Sequence, residues 1–83
     1  MIPKIKNVKA LEDYKLHIVF DDGLAVLYNM KEDIEQIPDF RALVSERGLF
    51  ESFQIDSSRT CLTWSDRIDL PSDTLLEYGT PIK

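Results

Sequence analysis

Seven residues near the N-terminus, Tyr14-Lys15-Leu16-His17-Ile18-Val19-Phe20, place Tyr14, Leu16, Ile18 and Phe20 on one side of an extended chain. Side chains alternate with period two along a strand, so aromatic and branched residues at every second position mark a half-buried strand. Asp21-Asp22-Gly23 follows at once, and Asp-Gly favours a hairpin turn whose two central residues take positive φ. Leu24 to Tyr28 returns as a strand, apolar at Leu24, Ala25, Val26 and Leu27. Apolar residues on both faces imply cover on both, by helix on one side and by a second subunit on the other. A homodimer through Leu24–Leu27 is therefore one expectation, symmetric dimers being the commonest oligomer.

The rest of the chain is organised around that hairpin. Before it, Ile5 to Leu11 is a short apolar and basic run ended by the polar pair Glu12-Asp13, which suits a turn. After it the period changes. Asn29 can cap a helix from Met30, with Glu32 completing a capping box, and Met30, Ile34 and Ile37 share its inner side. Pro38 ends that helix or opens the next. The next helix carries Asp39 in its first turn, then Phe40, Leu43 and Val44, and stops near Gly48. Phe50–Ile55 and Thr60–Trp64 flank the polar cluster Asp56-Ser57-Ser58-Arg59 and read as a second hairpin. Arg67–Leu70 adds a short strand. Pro71-Ser72-Asp73-Thr74 then introduces a final helical turn with Leu75, Leu76 and Tyr78, stopped by Gly79 and Pro81. Sequential strands with short polar connections predict an α+β domain, a small antiparallel sheet in the order β-β-β-α-α-β-β-α with short helices on one side. The expected core runs over about residues 2–78, with 79–83 as a tail.

Eighty-three residues suffice for one domain, which at this size buries roughly 60–65% of its unfolded surface. The single cysteine, Cys61, allows no internal disulfide, and small domains stapled by disulfides belong to oxidising compartments. The first residues lack the apolar run of a signal peptide, and no stretch approaches a membrane span. A soluble, cytoplasmic protein is the expectation. The net charge of −5, from fifteen acidic and ten basic residues, opposes autonomous nucleic-acid binding, which usually needs a basic face. Lys4, Lys6, Lys9 and Lys15 are a local exception, and they read better as guards of an edge strand than as a phosphate stripe. A DNA-binding role for this strand would show as a steep salt dependence.

Reactive constellations are sparse. His17 is the only histidine; with no Cys or His near it in sequence it makes no metal site, and packing on a strand is the expected role. Cys61 shares a face with Thr63, and without a base or positive surroundings a thiol stays inert. Asp66, Asp69 and Asp73 could offer oxygen ligands, but their spacing matches no calcium loop. Asp73 beside Ser72 suits the start of a helix, and Asp69 suits backbone bonding in the loop after Trp64. Three scattered glycines make no phosphate loop, and Ser57, Ser58, Ser65 and Ser72 lack a nucleophile elbow. A binding site for a small molecule or ion, using the Trp64–Asp73 loop with Tyr28 or Tyr78 as walls, is the alternative to a protein-binding surface.

Taken in order, these stretches resemble a small bacterial family known as domain of unknown function 2442. The likeness runs through Ile5 to Leu11, Asp13-Tyr14-Lys15-Leu16 to Phe20-Asp21-Asp22-Gly23, Asn29-Met30, Leu49-Phe50 to Ile55-Asp56, Leu62-Thr63-Trp64, and Asp69-Leu70-Pro71-Ser72-Asp73-Thr74-Leu75. Ile68 stands where the family more often has a small residue, and Ser65-Asp66-Arg67 replaces an Asn/Gly-type turn. The resemblance implies a non-catalytic α+β domain without a cofactor, in which Gly23, Trp64, Asp69, Asp73 and Leu75 are motif positions of structural value. It also implies a small partner protein encoded next door, in an arrangement like a toxin–antitoxin pair, this chain being the antitoxin-like member; the acidic charge of this chain makes a basic partner the expectation. Family members that bind DNA carry an added helix-turn-helix domain, for which the residues after Tyr78 leave no room, so DNA binding is not expected of this chain.

Overall fold

The computed structural model describes residues 2–65 and 67–82. Among them, strands β1 (Ile5–Leu11), β2 (Lys15–Phe20) and β3 (Ala25–Asn29) lead into helices α1 (Lys31–Gln36) and α2 (Ala42–Ser45). Strands β4 (Gln54–Ile55), β5 (Cys61–Ser65) and β6 (Ile68–Pro71), helix α3 (Ser72–Tyr78) and strand β7 (Thr80–Ile82) complete the order. The α+β class read from the sequence is the class that forms. The strands divide, however, into two antiparallel sheets instead of one, ordered β1-β2-β3-β7 and β4-β5-β6.

Alternation decides which face of the larger sheet turns inward. Leu16, Ile18 and Phe20 of β2, Val26 and Tyr28 of β3, and Ile5 and Val8 of β1 are buried. Between them Lys15, His17, Val19, Ala25 and Leu27 are half-buried on the outward face, so the two-faced strand expected from Leu24–Leu27 has one fully covered face. The inward face meets Met30, Ile34, Phe40, Leu43, Phe50, Leu62, Trp64, Ile68, Leu70 and Leu75 in one continuous cluster. Helix α3 packs on both β3 and β6 and so joins the two sheets.

The turns depart from expectation in informative ways. Gly23 has φ +90° while Asp22 keeps ordinary φ. Gly23 N–H donates to Phe20 O, and Phe20 N–H to Leu24 O. The loop is therefore a three-residue hairpin with glycine at the left-handed position, not the two-residue turn the Asp-Gly pair suggested. Between β1 and β2, Asp13 (φ 66°) and Tyr14 (φ 59°) adopt left-handed backbone that bulky residues avoid. Three contacts hold it: Lys31 Nζ lies 2.7 Å from Asp13 Oδ2, Met30 N–H donates to Tyr14 O, and the Tyr14 ring stands edge-on to Phe50 with centroids 5.2 Å apart. Strand β2 consequently starts at Lys15, one residue later than its alternation implied.

Three further expectations are corrected. The Asn29 side chain accepts the Lys31 N–H, but α1 begins one residue later than expected and Glu32 accepts from Gln36 instead of closing a capping box. Residues 50–52 form a 3-10 turn, which leaves only Gln54 and Ile55 to pair with β5, and Phe50 is buried in the core. The expected tail contains β7, whose Thr80, Pro81 and Ile82 pair with Leu27, Val26 and Ala25. At the other edge, β1 carries Lys6 and Lys9 as exposed side chains, the edge position their charges suggested.

Candidate binding cleft

Strand β3, helix α1 and the α3–β7 junction enclose a cleft of about 510 Å³ lined by Lys15, Leu27, Tyr28, Asn29, Glu32, Asp33, Gln36, Tyr78 and Thr80. Tyr28 ends the inward-facing row of β3, where only its ring fits the apolar interior and its hydroxyl needs a partner. One turn into α1, Asp33 supplies it: the Tyr28 hydroxyl donates to Asp33 Oδ2 at 2.6 Å. Burial, then this hydrogen bond, then the charges of Asp33 and Glu32 and the neighbouring Tyr78 hold the Tyr28 phenol protonated well above the usual tyrosine range. The bond also fixes the Asp33 carboxylate at the cleft wall with one oxygen still free to accept. Tyr78, at the end of α3, also lines the cleft and is 71% exposed, so its ring is available to whatever enters. Gly79 makes this junction possible: a Cβ there would lie 2.5 Å from Leu75 O and 2.9 Å from Val26 Cγ2.

The residues that sequence reasoning singled out go elsewhere, Tyr28 and Tyr78 excepted. Those two line the same cleft, but Trp64 does not join them: its indole N–H donates to Phe50 O at 2.9 Å and its ring packs edge-on to Phe53 in the core. The Trp64–Asp73 loop is thus no wall of a common site with the tyrosines. Asp69 is exposed on β6 opposite Thr63, and its side chain makes no hydrogen bond among the described residues. Asp73 sits in the first turn of α3 and accepts the Thr74 N–H. Leu75 is fully buried. Asp66 lies outside the described residues, and among those described no three His, Cys, Asp or Glu side chains cluster to hold a metal ion.

His17 and Cys61 do not meet. His17 lies on β2 of the larger sheet, flanked by Lys9 and Leu27, whereas Cys61 lies on β5 of the smaller, opposite Pro71. Burial, with Asp69 and Asp56 nearby, pushes the Cys61 thiol up and away from thiolate.

Sequence reasoning missed two anchors. Ser72 is fully buried; its hydroxyl donates to Pro3 O at 2.6 Å and its N–H to Thr60 O, tying the N-terminal segment to the smaller sheet. Arg59, at φ 60°, forks onto Asp21 at 2.8 and 2.9 Å while its carbonyl accepts the Ile5 N–H. Contacts spanning 69 and 38 positions in the chain leave no local signal.

Fold and cleft together define a small two-sheet α+β domain with an acidic, tyrosine-walled groove at one edge of its larger sheet. Residues 5–81 match the family described as protein of unknown function (DUF2442), and the chain belongs to that family. No curated protein and no solved structure is similar enough to count as a match. No helix among the described residues is long and apolar enough to cross a membrane.

Proposed function

We propose that this domain is a non-catalytic protein-binding module, the antitoxin-like member of a two-protein pair, and that it captures a small basic partner in the bacterial cytoplasm. The observation that carries the reading is the cleft itself: Glu32, Asp33 and the exposed Tyr78 converge on a chain of net charge −5. Acidic surface steers a basic partner, and an exposed aromatic ring beside it supplies contact area at low entropic cost. The separation of His17 from Cys61, and a thiol shifted away from its reactive form, support binding over covalent catalysis. Coexpression with the product of the adjacent gene tests the proposal. The expected result is a complex stable through affinity purification and growth rescue when the neighbour alone is toxic. A neighbour that neither binds nor harms the host would overturn it.

A further inference from the structure

If the domain is a protein-binding module, as proposed, the chemistry of its cleft narrows the kind of side chain the partner must bring. The cleft floor is a buried phenol whose hydroxyl already points at Asp33, so that oxygen is spent and the carboxylate is held rigid. Glu32, one residue earlier on α1, is exposed and accepts only a long 3.4 Å contact from Gln36, leaving its charge available. The Tyr78 ring lines the same cleft and is exposed over most of its surface. A flat aromatic surface and a fixed carboxylate lining one cleft suit a planar cation, which can stack on the ring and donate in its own plane to an acid beside it. An ammonium ion has no plane to stack. Lys15 on the same cleft repels a second cation and favours an acceptor atom beside the first. A peptide-borne arginine satisfies both demands, with its guanidinium stacked on Tyr78, its N–H groups donating to Asp33, and a main-chain carbonyl towards Lys15. We propose that this cleft is an arginine-reading subsite for a segment of the basic partner.

The test is a titration of the isotopically labelled full chain, monitored by amide chemical shifts, with N-acetyl-arginine amide, N-acetyl-lysine amide and N-acetyl-citrulline amide. Citrulline keeps the shape of arginine and removes the charge. The expected result is saturable shifts concentrated at Leu27–Asn29, Asp33 and Tyr78–Thr80 for the arginine compound, weaker for lysine and absent for citrulline. Tyr78→Ala, at an exposed position, removes the stacking surface without touching the core. Asp33→Asn keeps an acceptor for the Tyr28 hydroxyl and loses the charge. Each variant is expected to weaken the arginine response by about tenfold, the usual cost of a lost charge-assisted or stacking contact. Equal shifts with citrulline, shifts scattered over the surface, or a response unchanged in Tyr78→Ala would each refute the subsite. A neighbouring gene product that binds the Tyr78→Ala/Asp33→Asn double variant as tightly as the wild type would refute it too, while leaving the protein-binding reading intact.

Discussion

Gly79 is the position where one added methyl group has a calculable effect. Its φ of −75° is open to any residue, so alanine there meets no backbone strain. The obstacle is space. The new Cβ would sit 2.5 Å from Leu75 O and 2.9 and 3.0 Å from Cγ2 and Cβ of Val26, where ordinary contact begins at 3.4 Å. Leu75 O is main chain and accepts the Gly79 N–H at 3.0 Å, and Val26 is fully buried; neither can swing aside. The α3–β7 junction must instead lift from β3, against the pairing of Thr80, Pro81 and Ile82 with Leu27, Val26 and Ala25. Overpacking of this kind costs about 1–3 kcal/mol, and the stiffer unfolded chain returns about 0.4–1 kcal/mol. Gly79→Ala is therefore expected to destabilise the domain by about 1–2 kcal/mol. With a urea m-value near 1 kcal/mol/M for a chain this small, the midpoint should fall by about 1–2 M. Amide shifts should move at Tyr78 and Thr80, which flank the site and line the cleft. A variant as stable as the wild type would refute the close approach of α3 to β3 and the cleft geometry built on it.

Three other contacts yield outcomes as definite. Ser72→Ala leaves the part-buried Pro3 O without its donor and should lower stability by about 1–2 kcal/mol in chemical denaturation; unchanged stability would mean that the serine is no anchor. Arg59→Ala breaks an exposed fork to Asp21 and should cost about 0.5–1 kcal/mol, shrinking as salt is raised, whereas a salt-independent loss would point to packing instead of charge. The Tyr28 phenol is raised in the folded state, so its contribution is complete below the unfolded value of about 10 and drains away as pH climbs beyond it. Wild type should thus lose stability above that pH faster than Tyr28→Phe, by thermal melts at matched pH; parallel curves would refute the buried setting of the phenol beside Asp33.

How much of this could be read from the chain depends on the range of each interaction. The β1–β3 meander was legible because period-two alternation and a glycine-bearing turn are local signals. Strand β7 was not: Gly79 and Pro81 read as terminators, yet proline is tolerated on an edge strand where its missing N–H leaves no partner unsatisfied. Phe50 to Ile55 misled because a short apolar run with aromatics three apart suits a strand or a helical turn equally. The sequence offers Tyr28 and Tyr78 as ligand walls beside Trp64, but the Trp64 indole satisfies Phe50 O in the core. What joins the two tyrosines is the docking of α3 on β3, a contact fifty residues wide in the sequence and without periodicity of its own.

That distance has a consequence for when recognition can occur. The groove draws on residues 28–36 and on residues 78–80, so it does not exist on a nascent polypeptide until residue 80 has emerged and α3 has docked. A partner that grips it responds only to chains in which that docking is complete, and a cut before Tyr78 would erase the grip.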